Sequence, residues 1–311
     1  MVGAEDPSTG VGRLGYGVVL EDKVIQAEQT SILHETLAVL PDILGPELAE
    51  IPVERAVIGL FFTGVKLNNG IAGACATPIK TIPEAVCCPS SAMAMPFPGK
   101  LKGRPAYDLA REALGDNGIR RAVGIAAMNA LADACWRRRP HSETELRFGI
   151  DAFDATEMDP GDKVVVVGAF VPFLRELKRR CQPFLVLEED PATLKPEELP
   201  FFRPAEQAAS VVPEADVLLI TGTTLINDTL ENLLGWAKPS ARVTMVGPTV
   251  SFLPDAFLRR GADILGTVRI TDPDAFLDVL AEGGSGYHFL GRSAQKVVLV
   301  RRSTTRARAA A

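Results

Sequence analysis

The sequence predicts an α/β protein in two parts. An open, mostly parallel sheet occupies a C-terminal domain over residues 151–311, and a smaller α+β domain precedes it over residues 1–150. Three observations lead there. Val164-Val165-Val166-Val167, Phe184-Leu185-Val186-Leu187, Val217-Leu218-Leu219-Ile220 and Val243-Thr244-Met245-Val246 are short apolar runs of the kind needed by strands buried on both faces. Helical apolar spacing follows the first and third of these runs, as β-α repetition requires. Each run also ends in small or polar residues, and open α/β sheets bind ligands outside the carboxyl ends of such strands.

Composition narrows the function classes. The net charge of −6 argues against a general nucleic-acid binder. The basic clusters Arg137-Arg138-Arg139, Arg179-Arg180 and Arg259-Arg260 each close a predicted helix, where cations offset the dipole. No apolar run approaches the ~18 residues of a membrane span. Met1 to Asp6 lacks the basic and apolar regions of a signal peptide, so the expected compartment is the cytoplasm. Five cysteines at irregular spacing do not make a disulfide framework. The tail after Arg302 has little to bury and is expected to fray.

In chain order, residues 12–29 are expected as a strand pair. Ser31 is positioned to cap a helix carrying Leu33, Leu37, Leu40 and Leu44 on one face, which Gly45-Pro46 ends. Ala56 to Phe62 is expected as one strand. Asn69-Gly70 then predicts a type I′ hairpin turn into Ile71 to Thr77. Residues 78–102 form a Pro-, Ser- and Met-rich loop containing Cys87-Cys88, and loops this long are usually functional or mobile. A short helix follows over residues 106–114. Ile119 to Trp136 predicts a long one with a small-residue face.

The acidic stretch 148–162, with its Asp159-Pro160-Gly161-Asp162 turn, marks the domain boundary. Beyond it, helices are expected from Val171-Pro172, after Thr224 (with Asp228 and Glu231 in the first turns), from Pro254 and from Asp272-Pro273. Further strands are expected at residues 264–270 and 297–300.

The candidate chemistry lies at the strand ends. Glu188 follows Gly168 by about 20 residues, the usual spacing from a first fingerprint glycine to a ribose-binding acid. Phe170 and Phe173 stand where the other glycines are required, so ordinary NAD binding is disfavoured. Thr221-Gly222-Thr223-Thr224, with Asn227 close behind, offers hydroxyls and N–H groups suited to anions or polar ligands. Thr224 or Asn227 could instead serve only as a helix cap. Gly247-Pro248-Thr249 would reach the same edge of a parallel sheet. The Asn69-Gly70 turn leaves Lys66 and Asn68 less explained, and Asn129, set among small apolar residues, is usually a satisfied core amide, with a ligand contact as the sharper alternative. His34, His141 and His288 have no metal-ligand spacing. Cys75, Cys87 and Cys88 are the candidate thiolates for a soft metal of unspecified identity.

Several runs resemble the heavy-metal chelation family. They are Ala56 to Lys66, Gly70 to Pro78, Gly124 to Leu131, Ile220 to Thr229 and Val246 to Thr249, in a likeness covering about residues 50–302. The resemblance implies an N-terminal domain like the enolase N-terminal fold, a Rossmann-like C-terminal domain, and a site in the cleft between them. It places Lys66, Asn129, Gly168, Thr221, Gly222, Thr223, Thr224, Asn227, Gly247 and Thr249 at that cleft. The vicinal cysteines are not part of it. The expected function is binding of a metal ion or a metal-chelating small ligand, with Lys66 countering negative charge. The alternative is an enzyme acting on a phosphorylated or nucleoside-like metabolite, with Glu188 or Glu189 as base. Homodimerisation rests on base rates alone.

Overall fold

The computed structural model describes residues 31–81 and 97–302. The strand pair expected over residues 12–29, Cys87, Cys88 and the tail after Arg302 lie outside the described residues.

The chain forms a mixed α/β fold with an eight-stranded, mostly parallel sheet and a smaller antiparallel sheet of three strands. Helix α1 (Ile32–Leu44) opens it. Ser31 Oγ accepts the His34 N–H, and Leu33, Leu37, Leu40 and Leu44 are all buried, as their spacing predicts. Strands β1 (Val53–Ile58), β2 (Phe62–Leu67) and β3 (Ala72–Ala76) make the small sheet. The single strand expected over Ala56 to Phe62 is in fact the end of one strand and the start of the next. Gly59 turns the chain, its N–H donating to Phe62 O at 3.0 Å. The β2–β3 hairpin also forms, but not through a type I′ turn. Its loop holds four residues, 68–71, and of these only Gly70 takes a positive φ, 77°.

After α2 (Ala106–Ala110), helix α3 (Gly118–Arg138) packs its small-residue face on β3. The approach is backbone to backbone: a Cβ on Gly73 would stand 2.2 Å from Ala130 N. Only glycine fits there, which accounts for the run of small residues on both partners.

Strand β4 (Thr144–Phe148) ends where the acidic boundary stretch 148–162 begins, and helix α4 (Ala152–Ala155) lies inside it. They form because β4 pairs antiparallel with a strand from the far end of the chain. The parallel layer follows as β5 (Val164–Val167), α5 (Val171–Arg179), β6 (Phe184–Glu188), β7 (Phe202–Pro204), α6 (Ala208–Val211), β8 (Val217–Thr221), α7 (Leu230–Trp236), β9 (Arg242–Val246), α8 (Asp255–Arg259), β10 (Ile264–Ile270), α9 (Pro273–Ala281), α10 (Gly286–Phe289) and β11 (Ala294–Arg301). The strand order is β4-β11-β10-β9-β8-β5-β6-β7, parallel from β10 through β7.

The helix after Thr224 starts later than its apolar spacing suggests. Gly222–Leu225 is a 3₁₀ turn, and Asp228 precedes α7 with φ of 56°. Asp228 therefore does not serve the helix dipole. It pairs with the buried Arg121 of α3 at 2.5 Å, and the Arg121 Nη1 donates to Ile226 O at 2.9 Å. One continuous apolar core joins Val65, Leu67, Ile125 and Leu131 to Leu218, Ile220, Leu265 and Leu299. Among the described residues, no helix is long and apolar enough to cross a membrane.

Candidate functional site

The parallel pairing of β9, β8, β5 and β6 brings four strand-end turns to one edge. The chain leaves β5 for β6 on one side and later returns to β8 on the other. The order therefore reverses at β5, and the crevice between β5 and β8 is the topological switch point. Gly168 and Thr221 flank it.

Glycine sets the spacing of these turns. Gly168 has φ of 88°, and a Cβ there would lie 2.6 Å from Thr221 Oγ1. A Cβ on Gly222 would lie 2.9 Å from Thr249 Cβ, and one on Gly247 would lie 3.8 Å from Gly222 N. The ends of β5, β8 and β9 thus pack closely at their glycines, with the Thr221 side chain against Gly168 and the Thr249 and Val250 side chains against Gly222. At this edge, Thr221 Oγ1 and Thr223 Oγ1 are 2.8 Å apart and solvent-accessible. Thr224 plays a different part. It is buried, and its hydroxyl donates to Thr221 O at 2.8 Å, which holds the turn shut.

The neighbouring turns are braced against one another. Glu188 Oε2 accepts the Ala169 N–H at 2.8 Å, and its Oε1 accepts the N–H groups of Glu189 and Asp190 at 3.1 and 3.4 Å. Glu188 is a loop anchor. Asn227 donates to Glu189 Oε1 at 3.3 Å and accepts the Thr229 hydroxyl at 2.8 Å, which bridges the turns after β8 and β6. Phe170 packs edge-on against Phe173, with ring centroids 4.7 Å apart, and belongs to the α5 interface.

The small sheet and α3 meet this edge directly. Thr249 Oγ1 accepts the Ala76 N–H at 2.9 Å. The Asn129 amide donates to Ala74 O at 3.0 Å, Thr249 O at 3.0 Å and Pro248 O at 3.3 Å. Its Oδ1 is buried with no hydrogen-bond partner among the described residues. Asn129, Pro248 and Thr249 therefore join the two layers.

Lys66 and Asn68 stand apart from this set. The layers meet at Ala74 to Ala76, whereas Lys66 pairs with Ala72 at the opposite end of the hairpin. Four residues of strand separate Ala72 from Ala76, roughly 13 Å. Lys66 Nζ bonds Glu54 Oε1 and both oxygens of Asp274, each at 2.9 Å, and these carboxylates hold its pKa above the ordinary lysine value. It fastens β2 to α9. Asn68 is exposed in the hairpin loop. The cation that does reach the strand ends is Lys80, 3.0 Å from Asp190 Oδ2. No spacing in the sequence marks Lys80. Its only signal is its position just past the last strand of the small sheet.

Of the candidate thiolates Cys75, Cys87 and Cys88, only Cys75 lies among the described residues, and it is buried. Burial pushes the Cys75 thiol far up, against a smaller opposing effect of its hydrogen bond with Thr249. Burial likewise pushes Cys135 up to about 12. Cys181 is exposed on the far side of α5 from the strand ends. Among the described residues, no three His, Cys, Asp or Glu side chains are grouped to hold an ion.

Comparison with known proteins agrees with this architecture. Two family models match, over residues 42–132 and 151–299, and both carry the description "Putative heavy-metal chelation". An uncharacterised protein of Methanocaldococcus jannaschii is 31% identical over 180 residues, which are 56% of this chain and 64% of that protein. The chain thus spans about two thirds, and no more, of the relative it matches. A solved structure from Pyrococcus horikoshii, a protein of unknown function from the family matching residues 151–299, superposes with a TM-score of 0.67 at 19% identity. It covers 86% of this chain and 99% of its own. A second from Desulfitobacterium hafniense, also of unknown function, gives 0.63 at 21% identity, covering 87% and 100%. These likenesses show the fold. With both halves matched by models of one description, the chain belongs to the heavy-metal chelation family.

Proposed function

We propose that the strand-end cradle, covered by the edge of the small sheet and α3, binds a metal-chelating small molecule rather than a bare thiophilic ion. The division of the chain near residue 150 would place this cleft between two domains. The observation that carries the reading is the pair of accessible hydroxyls, Thr221 and Thr223, 2.8 Å apart at the end of β8 beside the switch point. Open α/β sheets take their ligands at such strand ends. Hydroxyl and N–H groups suit the carboxylate or phosphate oxygens of a chelator. Cys75 and Cys135 are buried, and burial holds both thiols above the ordinary cysteine value. Lys80 supplies positive charge at the rim and is shared with Asp190. An arriving anion would compete with that carboxylate for it.

Calorimetry with the full chain tests this. Citrate, cadmium, zinc and nickel are titrated singly, and then each metal is titrated as its citrate chelate. The expected result is saturable binding of citrate or its chelates near one equivalent, weakened about tenfold in Thr223→Ala and in Lys80→Gln. Thr223 and Lys80 are exposed, so neither substitution threatens the fold. Tight binding of free metal with no response to chelator would overturn the reading. Binding of phosphate esters with no response to metal would move the assignment to an enzyme of phosphorylated metabolites.

A further inference from the structure

The β10–β11 connection encloses a second concavity at the same edge of the large sheet, beyond β9. Its volume is about 340 Å³, and it is lined by Asp272, Ala275, Val279, His288, Arg292 and Ser293. It shares no residue with the strand-end cradle.

Ser293 is 4% exposed, and its Oγ has no hydrogen-bond partner among the described residues. Buried hydroxyls are normally satisfied, so one without a partner, in a residue that lines a cavity, points to a ligand. Its position is fixed. Ser293 O accepts from Thr271 N and Asp272 N at 2.8 and 3.1 Å, and Ser293 N donates to Phe289 O at 3.1 Å.

The other polar groups complement it. His288 Nδ1 accepts the Ser285 N–H at 3.0 Å, which leaves the ring proton of the neutral tautomer on Nε2 as a donor. Arg292 is a permanent cation. Asp272 uses Oδ1 to cap α9 through Ala275 N at 3.2 Å, and its second oxygen remains an acceptor. Ala275 and Val279 supply an apolar wall.

We propose that this concavity is a second small-molecule site for a compact hydroxylated anion. Carboxylate or phosphate oxygens would meet Arg292 and the His288 Nε2–H. A ligand hydroxyl would bridge Ser293 Oγ and Asp272. A metal ion is disfavoured there, because Arg292 repels it and only two side chains could ligate it. The site does not depend on the chelator reading, and Thr223→Ala leaves it unchanged.

The test is NMR titration of the isotope-labelled full chain with malate and, separately, glycerol 3-phosphate. These distinguish a carboxylate from a phosphate ligand. The His288 ring signal, assigned by its loss in His288→Gln, shifts saturably with at least one of them, while those of His34 and His141 stay in place. Arg292→Gln weakens that binding about tenfold or more, and Ser293→Ala about fivefold. Ser293→Ala leaves Tm unchanged or raises it, because it removes a hydroxyl that bonds nothing. The proposal is overturned if neither compound gives a saturable shift, if both variants bind as the wild type does, or if Ser293→Ala lowers Tm and so makes the hydroxyl structural.

Discussion

A methyl group added at Gly168 would sit 2.6 Å from Thr221 Oγ1, on backbone at φ 88°. Both the left-handed backbone and the contact oppose a side chain. Gly168→Ala is therefore expected to cost about 1–3 kcal/mol in urea denaturation and to splay the β5 turn from β8. Chelator binding should fall with it. An unchanged urea midpoint would mean that the packing of Gly168 against Thr221 has slack. At this scale the sequence was partly legible. The turns after β5, β8 and β9 could be placed because they end apolar runs. The partners of Lys66 could not, since Glu54 and Asp274 lie 12 and 208 residues away. A lysine beside polar turns in sequence looks like a ligand contact until those carboxylates are seen to hold it.

Helix α1 is fastened to α8 and the turn after it by charge. Arg260 and Arg259 both hydrogen-bond Glu35, and Arg260 is the main cause of its pKa lying below the ordinary carboxylate value of 4.5. The sign follows from linkage. A depressed folded-state pKa contributes stability that is fully present above the unfolded value and lost as pH falls through the folded one. Stability measured below pH 4.5 should thus drop more steeply in the wild type than in Glu35→Gln, with little difference in slope at pH 6–8. Parallel curves through the acid limb would show that the pair adds nothing. Elements with strong local signals were legible, among them α1 with its Ser31 cap and β10. Strand β4 was not. Thr144-Glu145-Leu146-Arg147-Phe148 carries little apolar content and exists because β11, from the other end of the chain, pairs with it.

Over the whole molecule, the apolar core does not stop between the two sheets. The cluster containing Leu67 and Ile125 also contains Leu218 and Leu299. Heat or urea should therefore unfold both layers together. Trp136 on α3 and Trp236 on α7 report on the two layers separately. Fluorescence midpoints of Trp136→Phe and Trp236→Phe, each read against far-UV circular dichroism of the same variant, should coincide within each protein. A fluorescence transition well separated from the dichroism in either would show that the layers melt independently.

An open sheet has two exposed margins, and each is an invitation to pair with a stranger. Among the described residues one margin is β7, three residues long and ended by Pro204, which has no N–H to offer. The other is β4, where the ion pair of Glu145 and Arg147 would have to be stripped of water before a further strand could dock. The molecule thus carries its own protection against growing sheet on sheet into fibres. Crowding during synthesis, when β4 waits for a partner more than a hundred residues downstream, is when that protection matters most.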